Sequence, residues 1–344
     1  MAPKPKNASK PQATGQRFID VHHHCVLPEY QAALVRSGAA DPSRPLRRNA
    51  SPQEAIDSMG TLGIEAAIVN PLSVAGVHHG SDADARYLCQ SASDALAAFV
   101  SAVPGKLGFF APLPYPDVDG SLRHMAYALD TLKADGLILM SQQNGTYVGD
   151  TRGEPLWAEM DRRGAVVLVH PARPAFIDEL TTKIWGAIIE YPFETTRVAA
   201  FLIYNEVMRK YPNIKWILAH AGGCLPYLSF RLSQLMTEQD IARPAFSDRV
   251  PEGAAGYVGK FYFDTAISGS AAALAGLTAV TEPSHILFGS DWPYIHRQTV
   301  ETQTTTLQTW PGFTLETFAA MERENALALF PRFRENRHPV RRAR

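Results

Sequence analysis

Eight short runs of aliphatic, β-branched and aromatic residues recur along the chain, each followed by a stretch with helical spacing. This alternation restricts the fold more than any other feature. The runs are RFIDVH (17–22), EAAIVN (65–70), LGFFAP (107–112), GLILM (136–140), AVVLVH (165–170), KWILAH (215–220), KFYFD (260–264) and HILFGS (285–290). Each is almost continuously apolar, as parallel strands buried on both faces must be. Between them, Ser51-Pro52 followed by QEAIDSMGTLG offers an N-cap serine and a first-turn proline. Further helical patterns are SDADARYLCQSASDALAAFVSAV, GSLRHMAYALDTLKAD, EPLWAEMDRRG, TRVAAFLIYNEVMRKYP, GCLPYLSFRLSQLM, SAAALAGLTAV and TLETFAAMERENALALF. Eight strands alternating with eight helices predict an α/β fold, a (β/α)8 TIM barrel in a single domain. No GxGxxG follows the first run, which removes the dinucleotide signature of an open doubly wound sheet.

The chain has 344 residues, 46% of them hydrophobic, enough to fill such a barrel. Residues 1–16 read as a flexible, mildly basic tail, 17–330 as the barrel, and 331–344 as a basic tail carrying six arginines. Two connections, residues 25–50 and 171–195, exceed what a loop needs. They follow strands one and five, so they are expected to wall a substrate pocket on the active-site face. Lys and Arg total 33 against 34 Asp and Glu, so no net field favours nucleic acid or a membrane surface. Cys25, Cys89 and Cys224 form no CxxC pair and no disulfide framework, which fits a reducing compartment. With no apolar signal core in residues 1–16 and no membrane-length apolar run, a cytoplasmic location is expected.

Polar residues with ligand chemistry fall at the strand ends. His22 and His24 close the first run, His170 the fifth and His220 the sixth, and Asp291 follows the eighth. In a barrel these ends open on one face, and four imidazoles with a carboxylate have the composition of a Zn(II)- or Mn(II)-type site. His22 and His24 are two apart and point the same way on an extended chain, whereas His23 points oppositely. His23 is therefore expected to pack or hydrogen-bond. His220 lies in LAHAGG, where it can be either a ligand or a group acting beside the metal. Asp291, in FGSDWPY, is expected to be both metal ligand and proton carrier, although an Asx turn would use the same residue.

In order, DVHHH, VLVHPA, ILAHAGG with the following LPY, and ILFGSDWPY resemble the signature segments of the amidohydrolase superfamily. The resemblance is to its aminocarboxymuconate-semialdehyde decarboxylase-like branch and covers roughly residues 17–330. DVHHH with EYPFETTR and YFDTA looks closest to the 6-methylsalicylate-decarboxylase-like proteins. The resemblance implies His22, His24, His170 and Asp291 as metal ligands, with His220 as a catalytic residue beside them. GLILMSQQNG lacks the lysine that bridges two metals in hydrolytic relatives, which implies a single ion, zinc first and manganese as the alternative. The expected activity is non-oxidative decarboxylation of a small aromatic acid, a 2-hydroxybenzoate such as 6-methylsalicylate, with Asp291 protonating the carboxyl-bearing carbon. The competing expectation is hydrolysis of a lactone, ester or amide. Arg47 and Arg48 are the expected carboxylate-binding cations and Trp292 a pocket wall; Arg173 and Arg297 are weaker candidates. A homodimer without nucleic-acid or membrane partners completes the reading.

Overall fold

The computed structural model describes residues 17–36, 38, 40–41, 51–180, 184–235 and 246–336. All eight apolar runs are strands: β1 (Phe18–His24), β2 (Ile64–Asn70), β3 (Leu107–Pro112), β4 (Gly136–Met140), β5 (Val166–His170), β6 (Lys215–Leu218), β7 (Tyr262–Asp264) and β8 (Ile286–Leu287). They pair in parallel, each with the next, in one eight-stranded sheet. The chain beyond β8 closes the circle on β1. Val21 N donates to Phe288 O at 2.9 Å, Asp291 N to His22 O at 2.8 Å and His24 N to Trp292 O at 2.6 Å. The fold is the expected TIM barrel, and its closure brings the first and last motifs of the sequence side by side.

Burial explains the apolar strands. Every residue of β1, β3, β4 and β5 is buried, and Trp157, Trp216, Phe110, Phe263 and Phe288 fill the packing between barrel and helices. Along β1 the pairing runs Asp20 to Ala67 and then His23 to Val69. Three residues of β1 therefore span two of β2, a bulge at Val21–His22. Bulges of this kind re-aim side chains next to active sites.

Helices start where the sequence offers caps. Ser51 Oγ accepts from Glu54 N ahead of the helix Pro52–Leu62, and Ser81 with Asp84 forms a capping box for Asp82–Ser101. Three features depart from the expected outline. The helix expected from Thr196 begins at Glu190, and Tyr191 O and Pro192 O accept from the hydroxyls of Thr195 and Thr196, so part of the expected 171–195 loop is helical. A further helix forms at Arg297–Thr309 although its six threonines have poor intrinsic helix propensity. There Thr302, Thr305, Thr306 and Thr309 return their hydroxyls to carbonyls four residues back, and only Val300, Gln303 and Leu307 face inward. Lastly, packing continues past the expected boundary at 330. Residues Pro331–Asn336 form a 3-10 turn in which Phe333 is buried and Arg332 pairs with Asp135 at 2.8 Å.

Among the described residues no helix is long and apolar enough to cross a membrane.

Candidate metal centre

The bulge in β1 leaves His22 and His24 aimed at one point, with their Nε2 atoms 3.2 Å apart. His170 arrives from the end of β5, its ring centroid 5.1 Å from those of both His22 and His24. Asp291 follows β8, with Oδ1 3.0 Å from His24 Nε2 and 3.4 Å from His22 Nε2. One ligand atom from each of these four buried residues lies within 4.8 Å of the other three. Ligands held ~2.1 Å from one ion at near-tetrahedral angles stand about 3.4 Å apart, so this spacing suits a single ion.

Partners fix which ring nitrogen of His22 and of His170 faces that point. His22 Nδ1 meets Asp264 Oδ2 at 2.7 Å, and Asp264 Oδ1 accepts from the backbone of His220 and Ala266 at 2.9 Å each. A carboxylate accepts only, so His22 must carry a proton on Nδ1, and it is Nε2 that faces the cluster. His170 Nδ1 donates to Pro171 O at 3.0 Å, with the same result. His23 turns away, as its alternation requires, and bonds Asp20 Oδ2 at 2.8 Å. Asp20 is fully buried and also accepts from Ser290 N at 3.0 Å and Ser290 Oγ at 2.5 Å, fastening β1 to the turn that carries Asp291.

Electrostatics agree with a site built for positive charge. Burial alone would lift the Asp291 carboxyl, but the imidazoles of His220, His24 and His22 around it hold it well below the usual carboxylate range. Full burial works against a charged His22, yet the Asp264 carboxylate on Nδ1, aided by Asp291 and Asp20, raises it to about 9. Burial and the neighbouring rings push His170 far down, and burial chiefly lowers His24, which leaves both as neutral donors. His220 and Asp291 sit at φ of 57° each, a backbone region that side chains seldom adopt. Such strain persists where the surroundings enforce it, commonly at functional sites. Beyond His220 the chain passes so close to Pro192 that a Cβ on Gly223 would lie 2.0 Å from its carbonyl oxygen.

His220 completes the cluster at its rim. Its Nε2 is 3.5 Å from Asp291 Oδ2, an ion-pair separation rather than a hydrogen bond. Among the described residues nothing hydrogen-bonds either ring nitrogen of His220, the indole Nε1 of Trp292 or the hydroxyl of Tyr294, all of them buried. Tyr294 packs its ring on His24 with centroids 4.6 Å apart. Buried polar atoms without partners are costly, and four of them around one mouth suit a polar ligand there.

Residues 19–332 match the amidohydrolase family over most of the chain. The chain belongs to the amidohydrolase family. This amidohydrolase is 34% identical to 6-methylsalicylic acid decarboxylase of Penicillium expansum over 92% of its own length and 97% of that protein. Its fold resembles solved 5-carboxyvanillate decarboxylase of Sphingomonas paucimobilis, with a TM-score of 0.79 at 21% identity, covering 92% of this chain and 99% of that one. A similar likeness, TM-score 0.76 at 22% identity over 94% and 98% of the two chains, holds for a dihydroxybenzoic acid decarboxylase of Polaromonas with bound manganese and 2-nitroresorcinol.

Of the residues expected from sequence, the structure brings together His22, His24, His170, His220 and Asp291. Trp292 stands at the rim, its backbone tied to Ser290 Oγ at 3.1 Å. Arg47 and Arg48 lie outside the described residues. Arg173 and Arg297 are exposed and paired with Asp178 and Glu301. Cys25 is buried against Asn70 O, and burial pushes its thiol up, which suits no nucleophile. Asp20 and Asp264 escaped the sequence reading. Asp264 ends its strand as His24 and His170 end theirs, and that position is the signal by which it could have been found.

Proposed function

We propose that this amidohydrolase is a metal-dependent, non-oxidative carboxy-lyase acting on a small aromatic acid, a 2-hydroxybenzoate of the 6-methylsalicylate kind. The observation that carries the reading is the convergence of His22, His24, His170 and Asp291 at the barrel mouth. Likeness to the Penicillium decarboxylase along nearly its whole length supplies the reaction class.

His22, His24, His170 and Asp291 Oδ1 would hold one divalent ion. Nitrogen-rich donors favour zinc, with manganese the alternative carried by the Polaromonas structure. When bound, the ion supplies a Lewis acid for the substrate's carboxylate and adjacent ring oxygen. Asp291 divides its work between two atoms: Oδ1 turns to the histidine ligands, while Oδ2 turns to His220. Held as a carboxylate, it must gain a proton before giving one. It takes the proton of the ring hydroxyl and passes it to the ring carbon bearing the carboxylate. The bond to the carboxylate then breaks, CO2 departs, and the bonding pair returns to the ring and restores aromaticity. Solvent reprotonates the ring oxygen, so the sum is aryl carboxylate plus a proton giving arene plus CO2. His220 steadies the developing charge on that oxygen, while Arg47 or Arg48 orients the carboxylate and Trp292 walls the ring.

A homodimer formed by the apolar surface of residues 184–193 is part of the same proposal, since Ile184, Trp185 and Ile188 are 50%, 67% and 63% exposed. The chemistry is tested by CO2 release from a panel of 2-hydroxybenzoates beside ring opening of a lactone panel. Salicylate-dependent CO2 release is expected. Lactone hydrolysis without it would replace decarboxylation by the hydrolytic reading.

A further inference from the structure

His22 is oriented by a carboxylate touching its ring, whereas the acceptor at His170 Nδ1, among the described residues, is the carbonyl of Pro171. That carbonyl belongs to the same peptide unit as Ala172 N–H, which donates to Ser141 Oγ at 2.9 Å. Ser141 Oγ in turn donates to Glu194 Oε2 at 3.0 Å, and Glu194 is fully buried. The backbone joins in, since Ser141 N donates to His170 O at 2.7 Å where β4 meets β5.

Each link dictates the next. An ionised carboxylate cannot donate, so the hydroxyl hydrogen of Ser141 must point at Glu194, which leaves an oxygen lone pair for Ala172 N–H. A trans peptide is planar with its C=O and N–H opposed, so fixing the N–H of Ala172 fixes the carbonyl of Pro171. That carbonyl requires a proton on His170 Nδ1 and leaves Nε2 bare toward the cluster. We infer that Glu194 is a positioning residue for His170, setting its tautomer and ring orientation through Ser141 and the Pro171–Ala172 peptide.

The other oxygen of Glu194 is held from the opposite side. Oε1 accepts from Tyr147 OH at 2.8 Å and from Arg197 Nη1 at 2.5 Å, and Arg197 also donates to Tyr147 OH at 3.1 Å. The guanidinium compensates the buried carboxylate from the side away from Ser141, so Oε2 is free to anchor the relay. The arrangement gives the barrel two solutions to one requirement: direct contact with a carboxylate for His22, and a hydroxyl and a peptide in between for His170.

The inference rests on the proposed metal site, and its test separates the two. Metal-free protein is titrated calorimetrically with Zn2+, and the histidine tautomers of the metal-free wild type are read by long-range 1H–15N correlation, with His170→Asn assigning the signal. Ser141→Ala should weaken Zn2+ binding by ~10- to 100-fold, the usual effect of removing a group that orients a ligand. Glu194→Gln should weaken it less, about 3- to 10-fold: its carbonyl must face Arg197, which turns the amide toward Ser141 and frees the hydroxyl hydrogen. Tyr147→Phe removes a partner of the same carboxylate outside the relay and should stay within about twofold. Wild-type His170 should show its proton on Nδ1. Binding by S141A and E194Q within twofold of wild type, or a proton on Nε2 of wild-type His170, overturns the relay. Failure of the wild type to bind Zn2+ at all overturns the metal reading instead. If a variant does not fold, the wild-type tautomer still decides.

Discussion

The floor and the wall of the barrel mouth are built on different terms. At the floor, His22, His24 and His170 stand at strand ends and Asp291 on the turn after β8, and Asp264, Asp20 and the Pro171 carbonyl hold their rings and turns. Along the wall after β5, Ile184, Trp185, Ile188 and Phe193 are exposed, and the guanidinium of Arg173 pairs at the surface with Asp178. The floor is over-determined by the fold of one chain, whereas the described part of the wall presents exposed apolar surface. Chemistry placed on strands and selection placed on loops let one barrel serve many substrates.

If that division is right, substitutions in the two regions should fail differently. Asp291→Asn keeps the shape of the site but removes its proton carrier, so CO2 release should fall by about 10^3-fold or more with the melting temperature nearly unchanged. Near-normal turnover would take Asp291 out of the chemistry. Asp264→Asn leaves every ligand in place but lets His22 choose the wrong tautomer. Its metal affinity should drop by ~10- to 100-fold, measured by competition with a chromogenic chelator. Gly223→Ala tests the frame alone: at φ 64° and with Pro192 O only 2.0 Å from the new Cβ, it should cost about 2 kcal/mol or more in denaturant unfolding. On the wall, Trp185→Ser should change unfolding by no more than about 0.5 kcal/mol, yet shift the protein from dimer toward monomer in light scattering. A marked loss of monomer stability there would mean that the wall packs on its own barrel after all.

How much of this was legible in the sequence follows the same division. The eight strands could be read because parallel strands buried on both faces leave an apolar run that little else leaves, and the ligands because they interrupt those runs at their ends. His23 could be set apart from His22 and His24 by alternation alone, and its bond to Asp20 bears that out. Asp264 was missed because a single aspartate after a strand has many uses, and its role appears only when closure of the barrel brings β7 beside His22. Glu194 and Ser141 could not have been read at all, since their influence on His170 passes through a peptide bond. The helix Arg297–Thr309 was hidden by threonines that satisfy their hydroxyls on its own carbonyls. Phe333, which lies among arginines in the expected basic tail, is buried against the barrel. Arg47 and Arg48, expected from their place in the long first loop and from guanidinium chemistry, lie outside the described residues.

Every functional statement depends on three imidazoles and one carboxylate sharing an ion. Elemental analysis of the purified protein, with CO2 release from a 2-hydroxybenzoate followed before chelation, after it and on restoring the metal, addresses that directly. One zinc or manganese per chain is expected, with activity lost on chelation and regained on reloading. Full decarboxylase activity in protein stripped of metal would contradict the account.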